Sequence, residues 1–125
     1  MSFFNKIFGN SDSTESTVPS FWKYIESEAD LQKAVEESAS QKVVIFKHST
    51  RCFISQTVLK NFEKEVEQSD KEVSYYFLDL ISYRNLSNKI ADDFNVTHQS
   101  PQLIVLDKGR AVADASHQSI SVSLI

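Results

Sequence analysis

The residue best suited to chemistry is Cys52, the single cysteine among 125 residues. It follows Lys47-His48-Ser49-Thr50-Arg51, which leads out of the β-branched and aromatic run Lys42 to Lys47. It precedes Phe53-Ile54-Ser55 and a helical stripe of Ile54, Val58, Leu59, Phe62 and Val66. Cys52 is therefore expected at a strand-to-helix junction. At the first turn of a helix, unsatisfied backbone N–H groups and the positive end of the macrodipole favour a thiolate, the nucleophilic form. Arg51, with Lys47 and His48 a few residues earlier, adds positive charge that acts the same way if those side chains point inward. One cysteine closes no internal disulfide, which suits a reducing compartment. Ser55 stands where a dithiol motif carries its second cysteine, so a mixed disulfide on Cys52 has to be resolved by an external thiol. The Ser55 hydroxyl, one turn on, is a candidate donor to the thiolate; it is equally an ordinary solvated serine near a helix start.

The second constellation is His98-Gln99-Ser100-Pro101, directly before the apolar run Gln102 to Leu106. A cis Ser100–Pro101 bond facing the cysteine loop would leave nearby backbone N–H and C=O groups free to pair with an extended peptide or thiol. Ser100 and Pro101 are thus the expected substrate-docking pair. X-Pro bonds are cis in only ~5–6 % of cases, and position alone raises the expectation here. The competing reading of a lone cysteine is an inert core residue. The strand-end position, the Ser55 spacing and the Ser100-Pro101 pair weigh against it. His48 and His117 are either contacts for a carboxylate-bearing thiol or plain loop and capping residues. Arg84 and Asn85 are read as the start of a helix, and the Lys and Glu of residues 60 to 72 as a solvated face.

The elements that must position these groups follow from periodicity. Phe21 to Ile25 is short and aromatic, like an edge strand, and Ser27 caps a helix running to about Ala39 with Leu31, Ala34 and Val35 on one face. Residues 42–47 form a continuous apolar strand of the kind covered on both faces. Val73 to Asp79 is a further strand, and Leu86, Ile90, Ala91 and Phe94 mark a third helix ending near Asn95. Gln102 to Leu106 and Arg110 to Ala113 flank Asp107-Lys108-Gly109 as a hairpin, and Ile120 and Leu124 mark a short closing helix. The order βαβαβαββα predicts an α/β, thioredoxin-like domain: a mixed sheet of four or five strands with helices on both faces. In such sheets, sites gather at the carboxyl ends of the parallel strands, where Cys52 falls.

Composition narrows the alternatives. The formal net charge is −4 with no dense basic run, which excludes nucleic acid as an expected partner. Two glycines, Gly9 and Gly109, cannot build a phosphate-binding loop or a dinucleotide fingerprint. His48, His98 and His117 have no zinc-ligand spacing, so no metal is expected. No apolar run approaches the ~18 residues that span a bilayer, so stable membrane insertion is not expected and a cytoplasmic location is. Residues 1–20 divide into a short amphipathic segment, Ser2 to Phe8, and the polar stretch Gly9 to Ser20, read as a linker. The thioredoxin-like domain is expected over 21–125. Oligomeric state is not legible.

From Phe21 onward the chain resembles the monothiol bacilliredoxins, the YtxJ-type thioredoxin-fold proteins of bacteria. The resemblance rests on Lys47-His48-Ser49-Thr50 leading to Cys52-Phe53-Ile54-Ser55, on Arg84-Asn85-Leu86-Ser87-Asn88 with Ile90-Ala91, on His98-Gln99-Ser100-Pro101-Gln102 and on Ala115-Ser116-His117. It implies removal of bacillithiol, a low-molecular-weight thiol acting as co-substrate, from S-thiolated proteins, with Cys52 taking over the small thiol. Three positions depart from the family pattern: Arg51 replaces Thr, Phe53 replaces Pro, and Gln118 replaces Trp. Loss of Pro at a helix start restores a backbone N–H that can aim at the sulfur. Arg51 and Phe53, flanking Cys52, join the expected substrate-binding residues. The alternative function is a redox-inactive binding module that keeps the fold and docks a partner.

Overall fold

The structure, a computed structural model, describes residues 21–125. The amphipathic segment and linker expected over residues 1–20 lie outside the described residues. Five strands and three helices alternate along the chain: β1 (Trp22–Tyr24), α1 (Glu28–Glu37), β2 (Val43–His48), α2 (Phe53–Glu67), β3 (Ser74–Asp79), α3 (Arg84–Phe94), β4 (Gln102–Asp107) and β5 (Arg110–Ser116). The sheet order is β1-β3-β2-β4-β5. β3 runs parallel to both β1 and β2, whereas β4 runs antiparallel to β2 and β5. This is the expected mixed sheet with helices on both faces.

β2 lies at its centre, and all six of its residues are buried. Its side chains alternate between two cores, as the pleat requires. Val43 and Ile45 pack with Leu31 and Ala34 of α1 and Leu86 and Ile90 of α3. Val44 and Phe46 pack with Val58, Phe62 and Val66 of α2 and with Trp22. Full burial of a side chain such as Phe46 contributes about 1.5–3 kcal/mol, so the central strand anchors both layers.

Local signals act where expected. The Ser27 side chain accepts a hydrogen bond from the Asp30 N–H at 3.1 Å, and Asn95 ends α3 in the left-handed conformation. Lys108 and Gly109 both have positive φ, 53° and 78°, the signature of a two-residue hairpin turn whose twist matches its strands.

The closing helix is a correction. Residues 117–125 form two single 3-10 turns, His117–Ser119 and Val122–Leu124. The segment alternates serine with β-branched residues, and serine side chains offer the backbone competing hydrogen bonds. Ser121 Oγ accepts from the Ser123 N–H at 3.2 Å, while Glu65 of α2 takes the Val122 N–H at 2.8 Å. Tertiary bonding to α2 therefore replaces the helical ladder.

Candidate active site

β2 delivers the chain to the carboxyl edge of the sheet, where the Ser49 carbonyl accepts the Cys52 N–H at 3.2 Å and turns it into α2. Gln56 clamps the turn: its Nε2 donates to the Thr50 carbonyl at 3.0 Å and its N–H to the Cys52 carbonyl at 3.1 Å. Cys52 is the N-cap of α2, in extended conformation, with no side-chain capping bond. Cys52 is partly exposed, so it does not lie in the core.

Strand parity decides which of its neighbours serve it. His48 lies on the α2 face of the sheet, 5 % exposed, with its ring near Phe77 and Phe46 at centroid distances of 5.5 and 6.4 Å. Its Nδ1 is 2.8 Å from Ser55 Oγ, and the same oxygen accepts the Ser49 N–H at 3.1 Å. Ser55, fully buried, therefore ties the cysteine loop to the end of β2. Among the described residues its hydroxyl makes no hydrogen bond to the sulfur. Burial pushes the His48 ring below the usual histidine range, with Asp79, its register partner on β3, opposing.

Lys47 points the other way, which overturns its expected contribution of charge beside Cys52. Its ammonium, with the residue 0 % exposed, lies on the α3 face, donating to the Ser87 carbonyl at 3.1 Å and standing 3.5 Å from His98 Nδ1. Burial lowers it to about 8. Burial also lowers His98, with Lys47 and Arg84 acting in the same direction.

The register pairs Lys47 with Gln102, so Pro101 comes next, at the level of His48. The Ser100–Pro101 bond is cis. The segment before it is stapled by the buried Gln102 side chain, whose Nε2 donates to the Thr97 carbonyl at 2.9 Å and whose Oε1 accepts the Gln99 N–H at 3.3 Å. The Pro101 carbonyl accepts the His117 N–H at 3.1 Å, bringing His117, at the end of β5, to the same edge. Sequence reasoning missed Gln102, Ser87 and Gln56. A polar residue ending an apolar strand was the available signal for Gln102 and Lys47, but only the pairing shows what each one bonds.

Arg51 is exposed and Phe53, the first residue of α2, is 80 % exposed. Phe53 and Ile54 open a groove of about 370 Å³ between α2 and the C-terminal turns, with Val58 and Ile120 as apolar lining and Asn61 and Gln118 as polar lining. Among the described residues there is no cluster of His, Cys, Asp or Glu able to hold a metal, and no helix long and apolar enough to cross a membrane.

The family profile of the monothiol bacilliredoxin BrxC matches residues 23–125. The chain belongs to the monothiol bacilliredoxin family. It is similar, at 31 % identity and a TM-score of 0.73, to a solved structure described as a proposed oxidoreductase with a thioredoxin fold, over 82 % of this chain and 88 % of that one. Two thioredoxins share the fold alone. The Fasciola hepatica protein matches at 19 % identity and TM-score 0.61, over 76 % of this chain and 86 % of its own. Spinach chloroplast thioredoxin f matches at 13 % and 0.62, over 77 % of this chain and 80 % of its own. This bacilliredoxin is accordingly a thiol-disulfide oxidoreductase with a single cysteine to work with.

Proposed function

We propose that this bacilliredoxin removes bacillithiol from protein mixed disulfides through Cys52. The observation that carries this reading is a partly exposed cysteine at the N-cap of α2, after the strand that pairs with the one following Pro101. The Cys52 thiolate attacks the small-thiol sulfur, the client cysteine leaves as a thiolate, and Cys52 retains the small thiol as a mixed disulfide. A second small thiol then attacks that retained sulfur, releasing the Cys52 thiolate and a disulfide of two small thiols.

Ser100 and Pro101 would align the client chain, Arg51 and His117 would meet carboxylates of the small thiol, and Phe53 would pack against the client at the mouth of the groove. Their support is placement: all five flank the Cys52 edge, and Arg51 and Phe53 are exposed. Ser55 and His48 serve the nucleophile from behind its loop, since the burial of His48 favours support over substrate contact. Residues 21–125 form the working domain, in a reducing location such as the cytoplasm.

Intact-mass measurement after incubation with a bacillithiolated protein tests the reading. An adduct of one small thiol on wild type and none on Cys52→Ser is expected. An unmodified wild type beside a still-modified client would instead favour a redox-inactive module. Running glutathione and coenzyme A conjugates in parallel checks the identity of the thiol.

A further inference from the structure

The groove between α2 and the C-terminal turns is larger than a contact with Phe53 alone would fill. Its volume of about 370 Å³ falls within the ~300–1,000 Å³ of ligand-binding clefts. Phe53 and Ile54 at its mouth are 80 % and 45 % exposed, which leaves apolar surface in water beside the N-cap of α2. The one charged side chain in its lining is Glu65, which bonds Ser121 and Val122 through Oε1 and makes no ion pair among the described residues.

The chain carries a segment of matching chemistry. Phe3, Phe4, Ile7 and Phe8 recur at the spacing that gathers side chains on one face of a helical turn, and Lys6 is the only charged side chain among residues 1–8. An apolar stripe with one cation thus complements an apolar groove with one carboxylate. The point of attachment fits as well. Phe21, where the described chain begins, packs on Trp22 and Tyr75 at ring-centroid distances of 4.9 and 5.2 Å, and Trp22 Nε1 donates to Glu63 of α2 at 2.7 Å. The chain therefore enters beside α2 at the level of Asn61 and Glu65, which line the groove from the opposite flank of the same helix. The width of one helix, about 10–12 Å, separates the entry from the groove. Twelve residues of the composition of Gly9 to Ser20 span about 20 Å on average, enough to cross it.

We infer that residues 3–8 dock in this groove of their own molecule and cover the surface that a client would use. Docking stands on the groove and the tether alone; its effect on clients rests on the proposed function. A tether this short holds the segment at an effective concentration on the order of millimolar, so an intrinsic affinity of about 1 mM fills the groove roughly half of the time. A client must displace the segment, which raises its apparent KM about twofold.

A nitroxide attached to the full-length protein through Ser2→Cys, in a Cys52→Ser background, tests the docking by NMR. The methyl signals of Ile54, Val58 and Ile120 should broaden, while those of Leu31 and Ile90, in the core on the other face of the sheet, should stay sharp. Adding Phe4→Ser and Ile7→Ser should restore the groove signals. Groove signals that stay sharp from the start, or broadening no stronger than at Leu31, overturn the docking. So does broadening that appears when spin-labelled chains are mixed with isotope-labelled chains free of nitroxide, because the occupant would then be a second copy. With Cys52 retained, Phe4→Ser/Ile7→Ser should lower KM for a bacillithiolated protein about twofold and leave the iodoacetamide rate unchanged. An unchanged KM would overturn the covering of the client surface. Absence of any thiol transfer, with the groove signals still broadened, would sink the proposed function and spare the docking.

Discussion

Two adjacent residues at the end of β2 lead to opposite halves of the site. Lys47 reaches the α3 face and joins Ser87, His98 and Gln102 beneath the Pro101 segment, whereas His48 reaches the α2 face and joins Ser55 and Ser49 beneath Cys52. The first cluster holds an amine whose bonding partners are neutral and whose ammonium form is disfavoured by burial. The second is compact, with contacts of 2.8 and 3.1 Å between small groups. Under the proposed function this contrast is a division of labour: one side of the strand shapes the segment proposed to dock the client, and the other supports the proposed nucleophile.

The largest effect expected is from Cys52→Ser, which should abolish thiol transfer and adduct formation while leaving the fold intact. Residual turnover of a mixed disulfide by that variant would mean that neither cluster serves the reaction.

Next in size is the pH dependence imposed by Lys47. Its folded value of about 8 lies below the ordinary 10.5, so between these values the unfolded chain binds more protons than the folded one. The penalty for holding the charged amine is therefore present in full below about pH 8 and is relieved as pH rises toward 10.5. The gain in stability across that window has an upper bound of about 3–4 kcal/mol, since a tenfold change in proton affinity corresponds to ~1.4 kcal/mol. Lys47→Met should remove this slope. Urea unfolding of both proteins at several pH values reads the difference, and parallel profiles would show that the buried amine carries no such cost.

Ser55→Ala should cost about 1–3 kcal/mol, because it leaves the buried Ser49 N–H unpaired, and Gln102→Leu about 1 kcal/mol, because its partners belong to the exposed Thr97 and Gln99, which water can reach. Their functional consequences should separate. The serine variant is expected to slow alkylation of Cys52 by iodoacetamide, whereas the Gln102 variant should leave that rate near wild type and raise KM for a protein mixed disulfide. Equal losses in both assays would erase the distinction between the clusters.

The smallest change is expected from Phe53→Ala. An 80 % exposed ring contributes little to the fold, so stability should stay within about 0.5 kcal/mol of wild type. KM for a protein client should rise while iodoacetamide reactivity holds. An unchanged KM would remove Phe53 and its groove from the client surface.

Much of this architecture was legible in the sequence because its strongest signals are local and redundant. The continuous apolar run before Cys52 marked a central strand, the Ile54, Val58, Phe62, Val66 stripe marked the helix behind it, and Ser27, Asn95 and Lys108-Gly109 marked ends and a turn. The closing helix failed where Glu65, distant in sequence, captures the Val122 N–H. Lys47 failed because charge near a cysteine in sequence says nothing about which face of the sheet receives it.

The sequence by itself determined the element order and the N-terminal position of Cys52 on its helix, since each depends on residues within a turn or two of one another, and its composition determined that no second cysteine is present. Only the tertiary structure decided that His48 rather than Lys47 shares a face with Ser55 of α2, that Gln102 staples the Pro101 segment, and that the His117 N–H bonds the Pro101 carbonyl. Those outcomes depend on pairing register and pleat parity across strands far apart in the chain, where a slip of one residue would send each side chain to the opposite face.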